Sequence, residues 1–418
     1  MAPKIPQITQ EELKRVLIVG CHLHRWQSKG KDSIKKVIQE QGIVQLDPIN
    51  PAGRYHDLFF SSRIFDYHQG EFERIVYSEK LVFETYFHNL NAIYIEYFPL
   101  FYSQTLDRDH LGRYYSRALR ILEQTHPEML DQVLDYVQKH GITRSSDLVS
   151  LGKAEPKYAV WKTSRNSGTA LELLWAMGKL AVIRDNNFRK MYDLIENYIK
   201  KSYLTKKSYT KEEQQFLKLK LKMKSFPIIP TGKITIKKDG NIRFGKKIAI
   251  PPEKLLIKES KEQIPTLVQL KDEVIGYIVP SNWRNLCQEN LDEEMRVIGP
   301  LDPVIWDRQL LNKLFEYDYV WEVYKKPQDR KWGYYVYPLL YCGNFIGRLE
   351  AKYDSKKSIL RIFNYQAEDQ LQAENHFLID SNVEEAFHRM LARWKSMVGA
   401  KDVEYDSTVP YTNSVDGQ

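Results

Sequence analysis

Gln45, Leu46 and Asp47 place an amide and a carboxylate two residues apart within the segment IVQLDPI. If that segment is a strand, alternation puts both polar groups on one face. A carboxylate so placed can stabilise positive charge as it develops and can accept a proton from water. Gln45 cannot serve as a base, but its amide can orient a water molecule or another oxygen. A little further on, Arg54 and His56 share a face if the chain stays extended, and with Arg63 they can hold phosphate groups. No lysine stands beside the triplet to act as an amine nucleophile. The same residues also have plain structural readings. Asp47 before Pro48 reads first as a turn or cap residue, Gln45 as a satisfied buried amide, and Arg54 and His56 as a surface pair.

Other chemistry-bearing residues point nowhere in particular. His22 and His24 form an H-x-H on an expected helix over 9–27, where residues two apart do not share a face, so no metal site is expected there. The three cysteines, Cys21, Cys287 and Cys342, are far apart in sequence. They suggest neither a disulfide framework nor a thiolate zinc site, and the expected compartment is a reducing cytosol. The ten aromatic residues picked out between 66 and 105 can be base-stacking platforms, but a helical core is the commoner reason for such density. Trp332, Gly333, Tyr334 and Tyr335 read likewise as the core of a small sheet.

The elements that must position the triplet read as helix (9–27), helix (31–41, stopped by Gly42) and a short strand (43–49). From about 124 to 199 a clearer pattern follows. An amphipathic helix over 130–139 ends at Gly141. A short helix SSDLVSL is capped by Thr143 or Ser145, and a third helix GTALELLWAMG is capped by Ser167. LAVIRDNNFRKMYDL then reads as a hairpin. Three helices closed by a hairpin make a winged helix, whose third helix is the usual groove reader. Arg165, Arg184, Arg189 and Lys190 surround that helix. The alternative is a winged helix that only mediates protein contacts.

Charge is uneven. The chain of 418 residues carries a net +8, yet residues 189–261 hold 20 Lys and Arg against 7 Asp and Glu. FLKLKLKMKSF alternates strictly, so a strand there would present Lys218, Lys220, Lys222 and Lys224 on one face. KITIKKDGNIRF reads as a hairpin turning at Asp239-Gly240 and carrying Lys237, Lys238 and Arg243. So dense a cluster fits a polyanion, with phosphate contact favoured over a merely solvated or anti-aggregation face. From about 301 the chain reads as a helix, then successive strands from VWEVYKK to SILRIFNYQ, then a closing helix VEEAFHRMLARWKSMVG. The tail from Tyr405 onward is expected to be disordered.

IVQLDPINPAGRYHDLFFSSR resembles the signature segment of the winged-helix DNA glycosylases that unhook interstrand crosslinks. SRNSGTALELLWAMGKLAVI and the block from Leu301 to Asp354 are similar to that family's middle winged helix and C-terminal β unit. The resemblance spans roughly 9–400, with three blocks in the right order. It weakens at 205–280, where the family usually has a third winged helix. It implies an α+β fold of tandem winged-helix modules around a basic DNA channel. The modules fall at 1–105, 106–204 and, divergent, 205–298, followed by a β unit with its terminal helix at 299–404 and a tail at 405–418. It also implies a monofunctional glycosylase that hydrolyses the N-glycosidic bond of N7-alkylated, cationic purines in double-stranded DNA. Gln45 and Asp47 would be catalytic, with no cofactor and no metal. The residues expected along the DNA are Arg54, His56, Arg63, Arg165, Arg184, Arg189, Lys190, Lys218, Lys220, Lys222, Lys224, Lys237, Lys238 and Arg243. A cytoplasmic monomer with no membrane association is expected. Two competing readings are a winged-helix transcriptional regulator, which has no need of the triplet, and a protein whose basic region meets an acidic partner or membrane.

Overall fold

The computed structural model describes residues 5–28, 30–87, 89–105, 111–151, 166–204, 209–236, 242–244, 246, 265–368 and 381–406. They group into two compact units, Met1–Phe72 with Gln215–Gln418, and Glu73–Gln214. Both are mixtures of helix and strand. No helix among the described residues is long and apolar enough to cross a membrane.

The first unit opens with β1 (Gln7–Ile8) and α1 (Gln10–Gly20). Thr9 caps α1 in a reciprocal box with Glu12, which satisfies two otherwise orphaned N–H groups. The expected helix over 9–27 therefore stops seven residues early. Cys21 ends it, and His22 turns away at φ +58°. α2 (Lys31–Gln41) ends as expected at Gly42, which adopts φ +73°. Only Ile43–Gln45 then form a strand, β2. Asp47 falls beyond it, so strand alternation does not place Asp47 beside Gln45. The chain next enters α3 (Tyr55–Ser61), nearly all of it buried, and then α4 (Glu71–Val76), within which the first unit gives way to the second.

The second unit holds the antiparallel pair β3 (Val82–Phe87) and β4 (Asn89–Tyr94). Part of the aromatic stretch expected in a helical core is therefore a sheet. Its rings are still core: Phe83 meets Phe98 and Phe101 at centroid distances of 5.2 and 5.5 Å. α5 (Phe98–Thr105), α6 (Gly112–Thr125) and α7 (Met129–His140) follow. After a 3-10 segment at Ser145–Leu151 comes α8 (Asn166–Ala176), then the hairpin of β5 (Leu180–Arg184) and β6 (Lys190–Leu194). Ser167 lies inside α8 rather than capping it. Thr143 instead bridges Tyr192 of β6. One apolar core, with Leu119, Val133, Leu148, Leu171, Leu174 and Val182 buried, joins these helices to the hairpin. α9 (Ile195–Tyr198) closes the unit.

FLKLKLKMKSF is not a strand but part of α10 (Lys211–Ser225). A capping box explains why. The Thr210 N–H donates to Glu213 Oε2 at 2.8 Å, and Thr210 Oγ1 accepts from the Glu213 N–H at 3.1 Å. Leu, Lys, Met and Gln are also strong helix formers, with no β-branched residue among them. At 100° per residue the four lysines cannot share one face. Lys218 and Lys222 stack on one side, Lys220 and Lys224 on another.

β7 (Ile229–Ile236) pairs with β8 (Ile242–Phe244) in the expected hairpin, and its turn lies outside the described residues. With β9 (Thr266–Leu270) and β10 (Ile275–Val279) these strands form a sheet in the order β1-β9-β10-β7-β8. α11 (Trp283–Leu286), β11 (Arg296–Val297) and α12 (Arg308–Phe315) lead to a second sheet. There β12 (Val336–Tyr341), β13 (Asn344–Asp354) and β14 (Ile359–Ala367) form a meander flanked by β11 and β15 (Asp402–Tyr405). The expected strand VWEVYKK has no strand structure. Tyr405, expected in the tail, pairs with Ile362. The closing helix is α13 (Ser381–Val398).

Candidate active site

Asp47 sits in the loop between β2 and α3, and the loop is fixed from three sides. Asp47 Oδ1 accepts the Ile49 N–H at 2.8 Å, a turn that sets the direction of the carboxylate. The Pro51 carbonyl accepts the Tyr353 N–H of β13 at 2.7 Å. The Ala52 carbonyl accepts Trp394 Nε1 of α13, also at 2.7 Å. Gly53 adopts φ +110°, and a Cβ there would stand 2.9 Å from Met397 Cε, so both backbone freedom and close approach require glycine. The structural and chemical readings of Asp47 are thus compatible. One oxygen makes the turn, and the other takes no hydrogen bond among the described residues.

Asp47 is half-buried, and burial pushes its carboxyl above the usual range, against the opposing Ile49 N–H and the charge of His56. A carboxylate held this way binds a proton more strongly than a solvated one, which suits a general base. Gln45, two residues earlier at the end of β2, is 8% exposed.

Tyr335 was not among the residues expected in a site. Its ring is fully buried, its hydroxyl has no hydrogen-bond partner among the described residues, and it lies within electrostatic reach of Asp47. Burial foremost, then the neighbouring Tyr337 and Asp47, hold its phenol well above the ordinary range, so it stays a neutral O–H donor. A buried donor without an acceptor is costly, so the surrounding packing must hold it in place. Two carboxylates fix the segment carrying it. Glu322 accepts the N–H groups of Lys331, Trp332 and Gly333 at 3.1, 2.7 and 3.3 Å. Glu350 accepts those of Tyr334 and Tyr335 at 3.0 and 3.3 Å. The sequence signal was a tyrosine on an inward-facing position, whose polar tip needs a partner.

The expected DNA contacts divide sharply by burial. Arg54 occupies the N-cap position of α3 and is half-buried. His56 is the second residue of α3, two positions after the Arg54 cap, so the two do not share a face. His56 is fully buried, its ring 5.1 Å from Phe72 and its Nε2 3.8 Å from Asp57 Oδ2. Enclosed in this way, it cannot meet a phosphate at the surface. Arg63 is corrected likewise. It is fully buried, donates to Asp302 through both terminal nitrogens at 2.8 and 3.1 Å, and stacks on Phe59 at 3.8 Å. It is a strut. In the second unit Arg184 is held by both oxygens of Glu84 at 2.7 Å and is 7% exposed. Lys190 is drawn to Glu172 at 2.7 Å.

Arg189 is exposed on the hairpin turn, 3.5 Å from Asp185. On α10, Lys218, Lys220 and Lys222 are half-buried and Lys224 is exposed. Burial lowers the proton affinity of Lys218 and Lys222. Lys220 lies over Phe216, and Lys224 donates to the Gln39 carbonyl. Arg243 pairs by its backbone with Thr235. Arg165, Lys237 and Lys238 lie outside the described residues. His22 and His24, now off the helix, are held at about 3 and 4, chiefly by burial, so both are neutral at physiological pH.

A family profile described as "DNA glycosylase AlkZ-like" matches residues 38–217 and 259–394, well over half of the chain and including the Gln45–Asp47 loop and Tyr335. Among solved structures, Streptomyces sahachiroi DNA glycosylase AlkZ is similar at 13% identity with a TM-score of 0.47. The match covers 96% of this chain and 100% of that one. So distant a likeness adds nothing to what the family match establishes.

Proposed function

Because the chain belongs to the AlkZ-like DNA glycosylase family, we propose that it is a monofunctional glycosylase acting on N7-alkylated, cationic purines in duplex DNA, with Asp47 as its base. The observation that carries this reading is the Asp47 carboxylate, fixed in direction, half-buried and raised in proton affinity.

Alkylation at N7 makes the purine a cation and already a good leaving group, so little general-acid help is required. The glycosidic bond breaks with its electron pair going to the base, and positive charge develops on the sugar. Asp47 supplies negative charge close to it and takes a proton from the attacking water. Gln45 orients that water or a sugar oxygen. The products are a free base and an abasic sugar. No lysine stands beside the triplet in sequence, which supports hydrolysis over Schiff-base lyase chemistry. The order of helices, 3-10 segment and hairpin from α6 to β6 supports a winged helix in the second unit. Interstrand crosslinks whose bonds run through guanine N7 present the same cationic leaving group and fall within this chemistry.

The test is base release from a duplex carrying a single N7-alkylguanine, comparing wild type with Asp47→Asn. Release by the wild type alone, with strand breakage only on later alkali treatment, is the expected result. Equal release by both proteins would remove Asp47 from the mechanism. Tight, salt-sensitive duplex binding with no release by either would favour the transcriptional regulator.

A further inference from the structure

A cleft of about 310 Å3 opens in the first unit, lined in part by Lys222, Phe226, Pro230, Trp306, Asp307 and Arg308. We propose that this cleft seats one phosphodiester of the DNA backbone, gripped by Arg308 and Lys222. The proposal rests on the glycosylase reading for its partner, but its argument comes from a charge imbalance.

Arg308 is half-buried, and the more deeply placed arginines of this unit each hold a carboxylate. Arg63 pairs with Asp302, Arg296 with Asp292, and Arg348 with Glu368. Arg308 holds none among the described residues. Its guanidinium lies 4.5 Å over the ring of Tyr319 and donates only to the Pro300 carbonyl, at a long 3.5 Å. One terminal nitrogen is buried with no acceptor. A desolvated cation with an unfilled donor is costly, and a bound anion removes that cost. Lys222, in the same lining, is half-buried and makes no ion pair within 4 Å among the described residues. Burial lowers the proton affinity of both groups. The one acid in the lining, Asp307, has its Oδ1 engaged in capping α12 through the Leu310 N–H at 3.0 Å.

Two cations and one carboxylate leave a single positive charge. A phosphodiester carries one negative charge and balances it, whereas a free phosphate monoanion or dianion lacks the flanking sugars that the apolar walls of Phe226, Pro230 and Trp306 can cover. The segment bearing Arg308 is rigid as well. Asp302 ties it to Arg63, and Trp306 Nε1 donates to the Leu301 carbonyl at 2.7 Å. The planar guanidinium is thus held in place before any ligand arrives.

The experiment measures binding of the full-length protein to undamaged duplex across a salt series, for wild type, Arg308→Gln, Arg308→Lys and Lys222→Gln. Arg308→Gln is expected to weaken binding roughly ten- to a hundred-fold. Its salt slope should fall by about 0.9, the value for one lost phosphate contact. Its Tm should equal or exceed that of wild type, because a half-buried cation with no carboxylate partner among the described residues has gone. Lys222→Gln should move affinity and slope the same way, and Arg308→Lys should keep the slope. A neutral methylphosphonate, moved along the duplex, should find one position that weakens wild type but leaves Arg308→Gln unaffected. An unchanged slope in Arg308→Gln, or no such position, overturns the proposal. So does a fall in affinity that tracks a fall in Tm in both Arg308 variants. Base release is not read in any arm, so a failed glycosylase reading would show separately, as intact binding behaviour without excision.

Discussion

Asp47 is a residue whose stability cost and proposed chemical use have the same cause. Burial raises its proton affinity. The folded state therefore binds that proton more tightly than the unfolded chain, and the stabilisation is present at low pH and lost as pH rises through the raised value. At neutral pH the ionised carboxylate opposes folding. Asp47→Asn is accordingly expected to lose base release by about 10²- to 10⁴-fold while its Tm at pH 7 rises or holds; a clear drop in Tm would assign the residue to the turn alone. The acid limb of the wild-type activity profile should lie above the ordinary carboxylate range for the same reason. Arg63 is the opposite case. Arg63→Ala leaves Asp302 buried without its partner and should cost about 3–5 kcal/mol in chemical denaturation. A loss of DNA affinity with unchanged stability would restore it to the surface role expected from sequence.

At the scale of elements, the segment 331–335 shows how a loop can be made rigid by carboxylates. Burial alone would raise Glu322, but hydrogen bonds from Lys325 and from the N–H groups of Trp332, Lys331 and Gly333 outweigh it and hold it at about 2. A depressed value means that this stabilisation is present above the unfolded value near 4.5 and is lost as pH falls toward 2. Glu322→Gln should therefore lower Tm at pH 7, and the gap to wild type should close on acidification. A gap independent of pH would show that the charge is irrelevant there. α10 makes a second element-level prediction. Because it is a helix, replacing Lys218 and Lys222 together should reduce the salt slope of duplex binding more than replacing Lys220 and Lys224, which lie on Phe216 and the Gln39 carbonyl. Equal effects would fit the lysine-faced strand instead.

For the whole molecule, the net charge of +8 hides an excess of 13 positive charges within 189–261. Some of those cations already have partners within the protein: Lys190 meets Glu172, Arg189 lies 3.5 Å from Asp185, and Lys224 donates to the Gln39 carbonyl. The number of phosphates contacted must then be smaller than the number of basic residues. A protein making six contacts loses roughly 10³-fold in affinity between 50 and 200 mM salt. Binding to undamaged duplex should show a steep dependence of this order, with a log–log slope well below the 20 Lys and Arg of the basic region. A flat dependence would favour a protein partner.

Local signals were legible without coordinates. Gly42 at the end of α2, the hairpins β5-β6 and β7-β8, the β12-β13-β14 meander and the closing helix α13 each rest on residues within a few positions of one another. The family resemblance rested on such blocks too, and the profile match bears it out. The alternation of Leu and Lys in α10 misled because a period of two is a strand signal only where nothing local favours helix. The Thr210–Glu213 box and the helix-forming residues decided otherwise. What tertiary structure alone decided was the fate of the charges. Arg63 and Asp302 are 239 residues apart, and Arg184 and Glu84 are 100 apart. An isolated arginine in a sequence does not reveal whether a distant carboxylate will enclose it or leave it, like Arg308, without one. Tyr335 came within reach of Asp47 for the same reason. Burial and electrostatic proximity are properties of contacts between remote segments, and a one-dimensional pattern carries only the local part of them.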